Sequence, residues 1–404
     1  MRSLPLLLSS LAALTFAPTS DAQRATLDPS GRWQTDVRHA IESWVAEGAG
    51  RGEKAVFDFD NTLVCRDIGE ATFAAVIESG RLVPAKLPAE VSPSFRLGEK
   101  TIALDQVADA AEYYEAFLQA TEHQEGETEP YANGYGWIVQ AMSGMTAAEV
   151  VEATRTAYAD AAGAKDALDP ALGQTRLHGY RQPFFYPEMV DFVALLLENG
   201  FDVWVVSASN VWSVRWMVTQ VLSPMLAARA GKPLAIPPDH VLGISVLVSD
   251  RRTDLLAKDA LLVGANPAYA KLDPTELGNF VLTTSIVPPM TAYSGKVAAI
   301  LDRIVPERPF LIAGDSPNDH PMLDWARHRL WIARLEKPSY QRATIDRIAA
   351  SRPGEWLVQP VLVERSPGFV PSAEALGARL PGDAAGKTPE SVRLLSEAGL
   401  LGGF

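Results

Sequence analysis

The stretch Ala55-Val56-Phe57-Asp58-Phe59-Asp60-Asn61-Thr62 sets two carboxylates, two residues apart, at the end of an apolar run. A short apolar run of this kind reads as a buried strand. Residues i and i+2 of a strand share a face, and past the strand end the chain can turn. One carboxylate can then attack while the other moves protons.

Three more segments follow in the order such a site needs. Val203-Trp204-Val205-Val206 ends in Ser207-Ala208-Ser209-Asn210, which offers hydroxyl and backbone donors to a phosphoryl oxygen. Lys296 opens a helical stretch, and Phe310-Leu311-Ile312-Ala313 ends in Gly314-Asp315-Ser316-Pro317-Asn318-Asp319. In open α/β sheets ligands bind outside the carboxyl ends of the strands, which is where these groups fall. Each has a plainer alternative, Asp60 and Asp319 as helix caps and Lys296 as a solvated lysine at a helix start, which the macrodipole disfavours. The order and contexts of all four segments argue for a common site.

The four segments resemble the motifs of the haloacid dehalogenase superfamily, in its phosphatase branch, on Asp58-x-Asp60-x-Thr62, Ser207, Lys296 and Gly314-Asp315-x-x-x-Asp319. The dehalogenase branch lacks an acid at the position of Asp60, so the resemblance is to the phosphoryl-transfer enzymes. It implies an α/β fold: a doubly wound parallel sheet, a Rossmann-like core, with an inserted mainly helical cap domain. The expected division is a catalytic core over residues 23–65 and 183–365, a helical cap over 66–182, and a loosely packed tail over 366–404.

Length and composition agree with a globular chain of more than one unit. It has 404 residues, 47% of them hydrophobic and 21% charged, long enough for two domains and a sizeable core. A net charge of −13 argues against nucleic acid as a partner. Met1-Arg2 with the apolar stretch to Phe16, then Ser20-Asp21-Ala22, reads as a signal peptide over residues 1–22. Periplasmic or secreted localisation is expected, with no stable membrane insertion after cleavage. The lone Cys65 makes no intramolecular disulfide and reads as a packed thiol.

Elsewhere the pattern is helix and strand in alternation. Trp33, Val37, Ile41, Trp44 and Val45 fit one helical face, and Pro187 starts another whose face is Met189, Phe192, Val193, Leu196 and Leu197. Val241 to Val248 reads as a hairpin arm. Arg329 to Ala333 and Trp356 to Val358 read as further strands, with a short helix near 389–398.

A phosphate monoester repels nucleophiles, so a carboxylate can attack only when that charge is offset. Mg2+ does this, preferring a few oxygen ligands in octahedral geometry. Asp58 is the expected nucleophile and a metal ligand, with Asp315 a second ligand. The resemblance adds the Asp60 carbonyl and places Asp319 in or just outside the ligand shell. Asp60 would protonate the leaving alcohol and later activate water. Ser207 would bond a transferring oxygen, Lys296 would offset charge at Asp58, Thr62 would brace the loop, and Asn318 would contact phosphate.

Between Lys100 and Arg155 there is no Lys or Arg, and acids are interleaved with Tyr113, Tyr114, Tyr131, Tyr135 and Trp137. Acid plus aromatic can hold an organic cation; the plainer alternative is an acidic surface over an aromatic core. Glu70 stands where phosphoserine phosphatase-like enzymes keep a carboxylate for the substrate amine. The overall layout is similar to that of exported bacterial phosphorylcholine phosphatases. The expected partner is therefore a small-molecule phosphate monoester with a cationic, phosphocholine- or phosphoserine-like group. A broad-specificity acid phosphatase or phosphotransferase stays open, as does a binding protein for a phosphorylated ligand, which the intact Asp58 and Asp60 count against.

Overall fold

The strand β1 (Lys54–Phe57) lies inside a seven-stranded sheet and is apolar on both faces. Ala55 and Phe57 enter one hydrophobic cluster and Val56 enters another on the opposite side, as a period of two requires. This computed structural model describes residues 26–82, 87, 91–107, 109–121, 133–159, 176–177, 180–352, 355–380 and 386–401. The signal-peptide reading and residues Glu122, Glu125, Glu127, Glu129 and Tyr131 of the acidic stretch lie outside them.

The other strands are β2 (Asp202–Asn210), β3 (Val241–Ile244), β4 (Leu311–Gly314), β5 (His328–Arg334), β6 (Trp356–Leu362) and β7 (Gly368–Phe369). The order is β7-β6-β5-β4-β1-β2-β3, and every neighbouring pair is parallel except β6 and β7. Parallel strands of this kind are covered on both faces and read as continuous apolar runs. Helices Thr35–Gly48 and Pro187–Glu198 supply Ile41, Trp44, Met189 and Phe192 to one face. Ile300, Met322 and Leu323 cover the other. The chain leaves β1 toward β2 on one side and returns through β4 on the other, and that reversal opens a crevice at the carboxyl ends of β1, β2 and β4.

A third cluster joins two separate stretches of chain. Helices Ile68–Glu78, Ala110–Thr121, Gly134–Gln140 and Ala147–Ala159 pack with strands Val246–Asp250 and Phe280–Ile286. The ring of Trp137 stands 4.8 Å from Tyr113, 5.7 Å from Phe73 and 6.4 Å from Tyr114. Tyr113 and Trp137 are therefore core residues rather than walls of a cation pocket. Two acids that flank them bond close to themselves in sequence: Asp109 accepts from Ala111 and Glu112 N–H, and Glu149 accepts from Thr146 N–H.

Two expectations from sequence are corrected. The run from Val241 to Val248 is not one hairpin. It breaks at Ser245, so that Val241–Ile244 joins the main sheet beside β2 while Val246–Asp250 pairs antiparallel with Leu256–Ala257 and Phe280–Ile286. Nor is the tail loosely packed: β7 closes the sheet, and Phe369, Val370 and Leu395 are buried against it, the last on helix Lys387–Glu397. Among the described residues no helix is long and apolar enough to cross a membrane.

A buried ion pair ties the stretch after β3 to the sheet. Arg215, on the helix Val211–Trp216 that follows β2, forms a fork with Asp259 at 3.0 and 2.6 Å. Tyr269 donates to Asp259 at 2.9 Å and itself accepts from Trp212 Nε1 at 2.8 Å. Asp259→Ala would strand a buried guanidinium, a defect worth about 3–5 kcal/mol. The denaturant midpoint should fall accordingly, and a variant as stable as the parent would refute this anchor.

Candidate active site

Asp58 follows β1 directly, and its N–H still donates to Ala313 of β4 at 3.0 Å, so its backbone stays registered to the sheet. Beyond it the chain folds into a tight loop in which the N–H groups of Thr62, Leu63 and Val64 all turn to the Phe59 carbonyl. Phe59 itself is buried against Phe185. Its side chain goes into the core, and those of Asp58 and Asp60 line the crevice.

The four predicted segments meet there. Lys296 Nζ donates to Asp58 Oδ1 and to Asp319 Oδ1, each at 2.6 Å, and is 1% exposed. Thr62 Oγ1 donates to Asp58 Oδ2 at 3.0 Å and lies 3.4 Å from Asp315 Oδ1. Asp315 Oδ2 accepts from Arg334 Nη1 at 2.8 Å. Asp319 Oδ2 accepts the N–H groups of Asp315 and Ser316 at 3.0 and 3.1 Å, a capping box around the turn Pro317–Asp319. A Cβ on Gly314 would stand 2.6 Å from Asp319 Cβ, so this approach needs glycine.

Asp60 is ringed by donors: Ile68 N–H at 2.7 Å on Oδ1, and Ser209 Oγ at 2.7 Å and Ser207 Oγ at 3.1 Å on Oδ2. This places Ser207 differently from the sequence expectation. It is fully buried, its hydroxyl is spent on Asp60, and Ser209, two residues on, lines the cavity in its place. Asn318 lines the cavity too, but its Oδ1 accepts from Tyr293 N–H, so its amide nitrogen is the atom it can present. Glu70 is in the cavity and accepts from Tyr114 OH at 3.3 Å. Cys65 is buried, and burial pushes its thiol up to about 12.

Sequence reading missed Arg334 and Asp67, and of the two strand-end serines it singled out Ser207 rather than Ser209. Ser209 shares a strand face with Ser207, and Asp67 caps helix Ile68–Glu78 by accepting from Glu70 N–H at 2.8 Å, so both left a signal. Arg334 ends β5 with no pattern to mark it.

The cavity is about 420 Å³ and strongly polar in its lining. Burial, with the neighbouring charge of Asp319, lifts Asp58 to about 6 against the pull of Lys296. Burial and the charges of Asp67 and Asp58 raise Asp60 well above the carboxylate range. Burial raises Asp315 despite Arg334, and burial with Asp67 lifts Glu70 to about 8. Burial alone would discharge Lys296, but Asp319 and Asp58 outweigh it and hold the ammonium charged.

Around Asp58, four carboxylates (Asp58, Asp60, Asp315, Asp319) thus face two cations (Lys296, Arg334). With all four ionised two negative charges are unmatched, and the proton that burial favours on Asp60 removes one of them. Carboxylate oxygens of Asp58, Asp315 and Asp319 all lie within 4.8 Å of one another and are buried. An all-oxygen set of this kind fits a hard cation such as Mg2+.

No protein-family model matches the chain. It is a homologue of phosphorylcholine phosphatase from Pseudomonas aeruginosa, 26% identical over 313 residues that cover 76% of this chain and 80% of the relative. A conserved protein of unknown function from Anaerococcus prevotii has a similar fold, with a TM-score of 0.56 at 19% identity over 86% of this chain and 97% of the other. A HAD-family hydrolase from Salmonella enterica serovar Typhi aligns at a TM-score of 0.36 and 12% identity, over 82% and 72% of the two chains.

Because the raised carboxyls hold protons that the unfolded chain would release, metal-free stability should fall as pH rises, through about 6 for Asp58 and about 8 for Glu70. A divalent ion displaces protons from its ligands, so Mg2+ should raise Tm more at about pH 8 than at about pH 5. Thermal melts in chelator and in excess Mg2+ check this; equal shifts at both pH values would contradict it.

Proposed function

Taking homology with a named phosphatase as the premise, we propose that this chain is a Mg2+-dependent phosphomonoester hydrolase of haloacid dehalogenase type that works through an aspartyl-phosphate on Asp58. The observation that carries the reading is Asp58 itself. One oxygen is held by Lys296 at 2.6 Å and the other by Thr62 at 3.0 Å, in a cavity shared with Asp60 and Asp315. A bound Mg2+ would offset the charge of the phosphoryl oxygens. Asp58 and Asp315 would hold it, and Asp319, whose two oxygens already serve Lys296 and the loop backbone, would stand just outside.

An Asp58 oxygen attacks phosphorus, and the bond to the leaving alcohol breaks. Asp60 begins protonated, as its raised pKa favours, and gives its proton to the departing oxygen. It then takes a proton from water as that water attacks the phosphorus of the aspartyl-phosphate, returning Asp58 and releasing phosphate. Ser207 and Ser209 support both states of Asp60, because a hydroxyl can donate to a carboxylate or rotate to accept from the acid. Ser209 and Asn318 are the polar groups lining the cavity that suit a transferring oxygen.

The helical layer over residues 68–159 would act as a cap and supply the substrate's other contacts. Glu70, Tyr135 and Tyr180 line the cavity away from the sheet and suit an amine or quaternary ammonium. A relative named for phosphorylcholine supports a small cationic phosphate ester as substrate. Export rests on the apolar leader that ends in Ser20-Asp21-Ala22.

Asp58→Asn should cut kcat by at least about 10³-fold while the chain still folds, as circular dichroism would check. Asp60→Asn should still release one equivalent of nitrophenol from p-nitrophenyl phosphate in a burst, because a good leaving group needs no acid, and then stall by about 10²- to 10⁴-fold. Normal turnover in the first variant, or no burst in the second, would reject these roles. Glu70→Gln should raise KM for phosphocholine roughly tenfold and leave a neutral sugar phosphate unaffected. A parent enzyme that prefers the sugar phosphate would remove the cation pocket from this reading.

A further inference from the structure

The chemistry set out above gives Arg334 no task, yet the fold holds it tightly beside Asp315. Arg334 is the last residue of β5, and the register of β4 against β5 pairs Gly314 with Trp331, three residues earlier. A strand advances about 3.3 Å per residue, so Arg334 is carried about 10 Å past the end of β4, to the level of the loop that presents Asp315. Its backbone is pinned there from several sides. It pairs with Val361 of β6, and its carbonyl accepts Lys337 N–H at 3.0 Å and Gln341 Nε2 at 2.9 Å. Gln341 in turn accepts from Trp331 Nε1 at 2.9 Å, and both of these residues are fully buried. The guanidinium stands 5.4 Å from the ring of Tyr340, on helix Pro338–Ala349, which limits where the side chain can swing.

The carboxylate it reaches has little else to fix it. Asp315 is buried, and its Oδ2 accepts from Arg334 Nη1 at 2.8 Å. Oδ1 lies 3.4 Å from Thr62 Oγ1, but that hydroxyl has one hydrogen and a shorter bond to Asp58 Oδ2 at 3.0 Å. Among the described residues, Arg334 is therefore the side chain that donates firmly to Asp315. It takes one oxygen and leaves the other on the side of Thr62 and Asp58.

Arg334 can act on a cation in this cluster in two opposed ways. Its positive charge repels an incoming ion, whereas its hydrogen bond holds a ligand in place and spares the ion the cost of ordering it. Charge balance alone works at a distance and needs neither a pinned backbone, nor a flanking ring, nor a short bond. Orientation needs all three.

We propose that Arg334 is a positioning residue: by holding Asp315 Oδ2 it keeps the other oxygen turned toward Asp58 and strengthens the binding of a divalent ion there. This role rests on the metal-dependent reading above, but its measure is binding rather than turnover.

The test titrates Mg2+ by calorimetry into the full chain, free of ester, in the parent and in Arg334→Met and Arg334→Lys. Methionine fills the space without charge or donor, and lysine keeps both. Arg334→Met should weaken Mg2+ binding roughly tenfold to a hundredfold, as loss of a partner that orients a metal ligand does, and Arg334→Lys should recover most of that loss. Unchanged or tighter binding in Arg334→Met would overturn the role, because its charge would then outweigh its hold on Asp315. With p-nitrophenyl phosphate and saturating Mg2+, Arg334→Met should return to within about threefold of the parent's kcat. A kcat still down about 10²-fold there would make Arg334 a substrate contact instead and would equally overturn it. Should circular dichroism show Arg334→Met unfolded, Arg334→Gln, whose amide is too short to keep the bond, carries the same expectations. Weaker Mg2+ binding in the variant, alongside a parent that hydrolyses no ester, would uphold the positioning role and reject the hydrolase. A parent that binds no Mg2+ would reject both.

Discussion

A single buried ammonium sets the geometry of this site. Lys296 sits between Asp58 and Asp319 at equal distance and with almost no contact with water. A lysine in that position stays charged only if its lost hydration is replaced by direct partners, and one carboxylate would serve less well than two. The pairing draws three parts of the chain together: the end of β1, the turn after β4 and the helix Ser294–Arg303. Asp319 then has its remaining oxygen free to accept the N–H groups of Asp315 and Ser316, so the ion pair also shapes the loop that presents Asp315.

The same arrangement leaves the centre short of positive charge. Asp58 and Asp315 have lifted pKa values although each touches a cation, because burial outweighs the pairing. A site built only for stability would pair its acids completely or leave them in water. Here the unmet charge is concentrated where carboxylate oxygens of Asp58, Asp315 and Asp319 lie within 4.8 Å of one another. The instability of the empty cluster and its capacity to take a metal have one cause.

Much of this was legible in the sequence because the relevant groups stand at strand ends. The apolar runs before Asp58, Ser207 and Asp315 form three adjacent strands of one parallel sheet. Adjacency alone then brings the motifs together. What the pattern could not reveal was pairing and partner. Val241 to Val248 is equally apolar on both sides of Ser245, so nothing local marks where it passes from the main sheet to the antiparallel arm. Ser207 and Ser209 look alike in sequence, and only the position of Asp60 decides which hydroxyl is enclosed. Arg334 reaches Asp315 through strand register, which a motif does not encode. The interleaved acids and aromatics suggested a cation pocket, yet Tyr113 and Trp137 turned inward because helices Ala110–Thr121 and Gly134–Gln140 need a core of their own.

The residues proposed for recognition and for proton transfer are joined at one helix end. Asp60 accepts the Ile68 N–H at the first turn of helix Ile68–Glu78, and Asp67 caps that helix through Glu70 N–H. Ser209 bridges the two acids, at 2.7 Å from Asp60 and 3.4 Å from Asp67. The approach is close enough that a Cβ on Gly69 would meet the Ser209 hydroxyl at 2.4 Å. Glu70 is thus fixed to the helix whose end is bonded to Asp60, and the spacing between them cannot change without breaking those bonds. A carboxylate placed for a substrate amine at that fixed distance from the acid–base group would select for tail length as well as charge. The helix dipole adds to this, because its positive end points at Asp60 and favours the anion that remains after proton transfer. Burial and neighbouring acids pull the other way, toward the protonated form. The acid–base role proposed for Asp60 needs both states within reach, and these two influences oppose each other there.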